Sequence, residues 1–135
     1  MSSGPYLGLD VGEKRIGVAL ADDAVRIAVP YDTIVVDGGE RQAIEELIIS
    51  HAIKTVIVGY PRNQSGDPTA QTAYVERFTA QIDLGGAELV FQDESLTSVA
   101  AEERLKSQNR PYRKGEIDAM AAAIIVQDYL ESHRA

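Results

Sequence analysis

A chain of 135 residues suits one domain with a real core and is too short for two, and 44% hydrophobic against 25% charged residues is a globular balance rather than a disordered one. The absence of cysteine excludes disulfides, thiolate zinc sites, iron-sulfur clusters and a cysteine nucleophile. A net charge of -8 argues against a general polyanion binder, because phosphate contacts depend on Lys and Arg; a nucleic-acid role needs a local basic surface.

Met1 to Pro5 carries no basic leader and the apolar run after it breaks at Asp10, so neither a signal peptide nor a membrane span is expected, and a cytoplasmic location is. Tyr6 to Val11 reads as a buried strand, Gly12-Glu13-Lys14 as a tight turn, and Arg15 to Ala21 as a strand returning beside the first. A third strand, Tyr31 to Val36, completes an antiparallel meander before Asp37-Gly38-Gly39 breaks it. From Arg41 to His51, Ile44, Leu47 and Ile48 recur at helical spacing. Lys54 to Val58 is a β-branched strand ending at Gly59-Tyr60-Pro61.

Arg62 to Pro68 is a polar loop, and Thr69 to Ile82 a helix that Gly85-Gly86 ends. Glu88 to Gln92 follows as a strand, Asp93 to Thr97 as a connection, and Ser98 to Lys106 as a short helix capped by Thr97 or Ser98. After a loop from Ser107 to Lys114, Glu116 to Ser132 forms an alanine-rich helix, apolar nearly all round from Ile117 to Val126 and therefore deeply packed. Three strands, then helix, strand, helix, strand and two helices describe a single α/β domain over residues 1–135. Its five-stranded mixed sheet is antiparallel in the first three strands and parallel afterwards, with helices on its flanks.

Three acidic positions stand out: Asp10, the pair Asp93-Glu94, and Asp118. Strand alternation puts Asp10 on one face with Tyr6 and Gly8, where a glycine lets a helix or ligand approach. Asp10 equally suits a strand end capping the turn at Gly12. Asp93-Glu94 lies at the carboxyl end of a strand, where open α/β sheets place ligands, although a solvated acidic turn before a helix reads the same way. Asp118 opens the last helix, where negative charge suits the helix dipole, yet it shares a stripe with Ala122, Ile125 and Tyr129 that should face the body. A carboxylate there needs a partner. Converging at one sheet edge, these acids would hold two Mg²⁺ or Mn²⁺ ions about 3.5 to 4 Å apart, an arrangement suited to phosphodiester hydrolysis.

The run Leu7-Gly8-Leu9-Asp10-Val11-Gly12-Glu13-Lys14-Arg15-Ile16-Gly17-Val18-Ala19 resembles the opening signature of the YqgF/RuvX family, bacterial nucleases with a ribonuclease H-like fold. Val56-Ile57-Val58-Gly59-Tyr60-Pro61 with Gly66, Asp93-Glu94-Ser95-Leu96-Thr97-Ser98, and Lys114-Gly115-Glu116-Ile117-Asp118-Ala119 with Ala121-Ala122 resemble its remaining motifs, in order and over nearly the whole chain. The resemblance implies metal-dependent cleavage of nucleic acid with Asp10, Glu94 and Asp118 on the catalytic acidic positions, Asp93 beside them, and Mg²⁺ or Mn²⁺ as cofactor. It also implies a substrate: four-way DNA junctions, or the 5′ end of precursor 16S ribosomal RNA, of which RNA is the reading favoured here. Two departures stand against the pattern, Ser95 for the usual Arg and Ala100 for the usual acid of the next helix. Neither removes an expected metal ligand.

Lys14 and Arg15, just past Asp10, and Arg110, Tyr112, Arg113 and Lys114, in a stretch free of acids, are the expected nucleic-acid contacts, with Tyr112 stacking on a base. Each is equally a residue of a solvated turn or loop. His51 and His133 read as surface residues. Structured RNA is the expected partner and branched DNA the alternative, with the chain a monomer or a homodimer. A non-catalytic RNA-binding module of the same fold would be expected to lose the acids, which are all retained. A sugar-kinase-like or chaperone-like ATPase also uses a strand, glycine turn and strand, but would need a second copy of that loop. A dinucleotide fingerprint is absent, since Gly8 to Gly12 leads into a strand.

Overall fold

A computed structural model describes residues 4–61, 67–94 and 97–133, with the side chains of 94 and 97–100 outside the described set. Its elements are β1 (Tyr6–Val11), β2 (Arg15–Ala21), β3 (Val29–Val35), α1 (Glu40–Ser50), β4 (Thr55–Pro61), α2 (Ala70–Ala80), β5 (Glu88–Glu94), α3 (Thr97–Lys106) and α4 (Lys114–Ser132). They form one five-stranded sheet in the order β3-β2-β1-β4-β5. β1 runs antiparallel to β2, and β2 to β3, whereas β4 and β5 join in parallel. This is the expected mixed sheet.

Alternation along the strands divides the core in two. Leu7, Leu9, Ile16, Val18, Val56 and Val58 point to the face covered by α1, through Ile44 and Ile48, and by α2, through Val75. Tyr6, Ala19 and Ile57 point the other way, against Ala122, Ile125, Val126 and Tyr129 of α4. Ala101 and Leu105 of α3 then cover Met120 and Ala121 on the outer side of α4. Helix α4 is thus enclosed between sheet and helix, which is why it is apolar nearly all round.

Several boundaries differ from expectation, β4 among them, which runs through Gly59, Tyr60 and Pro61 where the strand was expected to end. β3 starts at Val29, two residues before Tyr31, because Ala19 and Leu20 pair with Pro30 and Val29 past a bulge at Val18/Ala19. β5 runs on through Asp93 and Glu94, whose ladder partners are Tyr60 and Pro61, where a connection was expected. α4 begins at Lys114, and the preceding chain is tied down, with the Gln108 and Asn109 amides donating to Leu105 and Lys106 of α3. Helix α2 starts where Thr69 predicts: the Thr69 hydroxyl accepts from the Thr72 amide at 3.3 Å, and Thr72 Oγ1 accepts from the Thr69 amide at 2.9 Å. The loop expected from Arg62 falls outside the described residues as far as Gly66, as do Ser95, Leu96 and the cap and side chain expected at Ser98 and Ala100. Neither histidine stands alone: His51 meets Tyr31 edge-on, and His133 stacks on Tyr129.

Candidate active site

The site is built on two glycines. In the β1–β2 hairpin Asp10 pairs directly with Gly17, and Gly8 with Ala19. A Cβ on Gly17 would lie 1.9 Å from the Asp118 carbonyl oxygen, and one on Gly8 would lie 2.1 Å from Val126 Cγ2 and 3.2 Å from the Ala122 carbonyl oxygen. The missing side chains let α4 lie flush on the sheet, and that contact fixes Asp118 across from Asp10. The sequence singles out Gly8 for this role and misses Gly17, whose significance depends on hairpin register. On the β3 side the Thr33 hydroxyl donates to the Gly115 carbonyl, which secures the first turn of α4.

Asp10 is partly buried, and burial first and the Asp118 charge second push its pKa up to about 6. Among the described residues no hydrogen bond or ion pair reaches its carboxylate. Asp118 is better provided for: Arg15 Nε donates to its Oδ2 at 2.7 Å, the arginine side chain being 41% exposed and the aspartate 24%. Gly12, Glu13, Lys14, Arg15, Gln71 and Asp118 line a cleft beside the pair. Gln71 was not among the residues singled out from sequence; its Nε2 donates to the Val11 carbonyl at 3.0 Å and pins α2 to the end of β1.

The carboxyl ends of β1, β4 and β5 lie side by side, in register through Leu9↔Val58↔Phe91. Asp10 is one residue beyond that level and the backbone of Glu94 three, so position 94 ends β5 on the same rim; its side chain lies outside the described residues. Asp93 goes elsewhere. With Tyr60, Glu76 and Phe91 it lines a hollow on the α2 side of the sheet, opposite the face that carries Asp10. Among the described residues no three acidic, histidine or cysteine side chains gather as a metal cage. The donor set nevertheless suits a hard divalent cation: two neighbouring carboxylates, one without a donor among the described residues and the other bonded to the Arg15 guanidinium.

The expected nucleic-acid residues divide as well. Lys14 and Arg15 line the cleft that also holds Asp118. Arg110 donates to Glu116 at 3.0 Å, Glu116 in turn accepts from the Arg113 amide at 2.8 Å, and Tyr112 donates to Glu102 at 3.3 Å while packing on the α3–α4 core. Lys114 is exposed at the start of α4. Arg110 and Arg113 border a groove between the β3 edge and α4, with Tyr31 on its wall and Leu105 and Met120 beneath.

Residues 4–132 match the family model described as RuvX: Holliday junction resolvase. The chain belongs to the RuvX family. Among RuvX relatives, the "Putative pre-16S rRNA nuclease" of Chloroflexus aggregans is 41% identical over 139 residues, spanning 99% of this chain and 98% of its own length. A protein of the same description from Carboxydothermus hydrogenoformans is 39% identical, over 92% and 94% of the two chains. The fold is that of the ribonuclease H-like resolvases. Thermus thermophilus RuvC, solved with a Holliday junction substrate, superposes with a TM-score of 0.58 over 94% of this chain and 93% of its own at 14% identity. The fowlpox virus Holliday junction resolvase superposes with a TM-score of 0.55 over 95% and 99% at 12% identity. RuvX membership makes the chain a nuclease, an enzyme that hydrolyses phosphodiester bonds.

Proposed function

We propose that this RuvX chain is a cytoplasmic, divalent-metal-dependent ribonuclease that matures the 5′ end of precursor 16S ribosomal RNA. The observation that carries the metal dependence is the juxtaposition of Asp10 and Asp118, set by Gly17 and leaving Asp10 raised to about 6 with no donor among the described residues. Full-length relatives described as pre-16S rRNA nucleases support RNA as the substrate. Among the described residues no helix is long and apolar enough to cross a membrane.

Asp10 and Asp118, with Glu94 as the third acid, would hold Mg²⁺ or Mn²⁺, two ions as in two-metal nucleases. Bound there, such ions supply Lewis-acid activation of water and charge stabilisation at the leaving oxygen. The chain's own contribution is placement. Burial of Asp10 and the seating of α4 on Gly17 fix two oxygen donors on rigid elements, which preserves the geometry that in-line attack on a phosphate requires. Lys14 and Arg15 edge the same cleft and would bind phosphates next to the scissile one. Arg110, Arg113 and Lys114 would meet the strand at the start of α4, with the Tyr112 hydroxyl held by Glu102 and its ring the candidate stacking surface for a base.

The test is cleavage by the purified protein in Mn²⁺ of a precursor 16S fragment spanning the mature 5′ end, beside a four-way DNA junction of equal length. The RNA is expected to be cut faster, in single-stranded segments next to a duplex, where bases and 2′-hydroxyls are exposed. Preferential, symmetric cutting of the junction would overturn the choice of RNA in favour of a DNA resolvase.

A further inference from the structure

The residue expected to bind phosphate, Arg15, and an acid expected to bind metal, Asp118, are bonded to each other at 2.7 Å. While that bond stands, Nε of Arg15 and one carboxylate oxygen of Asp118 are occupied by each other. Oδ2 of Asp118 faces a guanidinium, and Arg15, which lines the cleft, spends a donor there on a carboxylate.

We propose that Arg15 is an exchangeable counterion: it holds Asp118 while no metal is bound, is displaced by the divalent ion, and is thereby delivered to the nucleic-acid phosphate. The inference rests on the reading of Asp10 and Asp118 as metal ligands. The two partners differ in freedom. Asp118 sits on α4, whose carbonyl at that residue packs directly against Gly17. Arg15 is the first residue of β2, follows the Gly12-Glu13-Lys14 turn and is 41% exposed at its side chain, so it is the partner that moves. A half-exposed ion pair of this kind is cheap to open. A divalent ion on Asp118 would also repel the guanidinium directly, at a separation where water screens poorly.

Asp10 makes the exchange one-sided. Among the described residues the Arg15 guanidinium bonds to Asp118 and none donates to Asp10, so in the metal-free site one of the two carboxylates is left without a hydrogen-bond partner. A divalent ion supplies both acids and makes Arg15 surplus. By linkage, a phosphate that draws Arg15 away must strengthen metal binding by the same factor by which metal strengthens phosphate binding.

Arg15→Gln and Arg15→Lys test this, with free Mn²⁺ followed by its electron spin resonance signal. Separately, a fluorescently labelled single-stranded oligoribonucleotide is titrated in Ca²⁺ and checked for integrity on a gel. Arg15→Gln is expected to tighten Mn²⁺ binding about three- to tenfold, since it removes both competitor and repulsion. It is expected to weaken oligoribonucleotide binding in Ca²⁺ by a similar factor, since it removes a phosphate contact. Arg15→Lys should keep Mn²⁺ affinity within about twofold of the wild type, because it retains the charge. A merely structural role for Arg15 would weaken both ligands together. Unchanged or weaker Mn²⁺ binding by Arg15→Gln would overturn the counterion, and undiminished oligoribonucleotide binding would overturn the delivery. If neither wild type nor variant bound Mn²⁺, the metal reading would fall as well; wild-type binding that Arg15→Gln does not improve defeats only the exchange.

Discussion

Asp10 carries an energetic cost that can be measured in the absence of substrate. Its pKa stands at about 6 against an ordinary 3.8, raised by burial and then by Asp118. The folded state therefore binds this proton more tightly than the unfolded chain, so the contribution of Asp10 to stability improves as pH falls from above 6 towards 4. Above 6 the full cost of the ionised carboxylate is present, on the order of 3 kcal/mol, of which a buried neutral amide would recover only part. In metal-free buffer Asp10→Asn should accordingly be more stable than wild type by about 1 to 2 kcal/mol at pH 7.5, with the difference fading by pH 4. Urea denaturation across that range measures it. A variant less stable than wild type at pH 7.5 would mean that Asp10 makes a favourable contact instead.

At the scale of elements the site depends on how closely α4 approaches the sheet. Gly17→Ala would put a methyl group 1.9 Å from the Asp118 carbonyl oxygen, backbone against side chain with no flexible end to yield. The helix must move, and a loss of about 1 to 3 kcal/mol in stability is expected, together with a fall of about a hundredfold in cleavage as Asp118 leaves its position. Gly39→Ala, whose Cβ would meet only Asp37 Oδ1 at 3.6 Å, should leave cleavage unchanged and cost no more than about 1 kcal/mol, since Gly39 is the N-cap of α1. Melting curves and single-turnover rates of the two variants decide between a helix held by contact and one that can reseat.

The same elements explain what the sequence discloses. Alternation within β1 and helical spacing within α4 each assign a face from one segment alone, so Asp10 and Asp118 are legible as inward acids, and β-branched runs with glycine breaks give the order of the strands. Properties shared by two segments are harder to read. Gly17 acquires its role from pairing with Asp10 across the hairpin, and Gln71 from the meeting of α2 with the end of β1. Asp93 reads as part of a connection, where alternation does not apply, but the ladder to Tyr60 extends β5 over it and sends it to the α2 side. Tyr112 reads as a loop tyrosine because its partner Glu102 lies on another element, α3.

For the molecule as a whole, a net charge of -8 must be reconciled with a polyanionic substrate. The stretch from Arg104 to Lys114 contains no acid in sequence, yet in the fold Arg110 is met by Glu116 and Tyr112 by Glu102, so it offers less positive field than its composition implies. Divalent ions on Asp10 and Asp118 would reverse the local charge where a phosphate must sit, making metal a condition of substrate binding as well as of chemistry. The most direct test is the single-turnover rate of RNA cleavage in Mn²⁺ by the wild type, Asp10→Asn and Asp118→Asn, each first shown to be folded by its melting curve. A metal centre built on both carboxylates predicts a loss of about a hundredfold or more in each variant with the fold retained. Wild-type rates from either folded variant would contradict it.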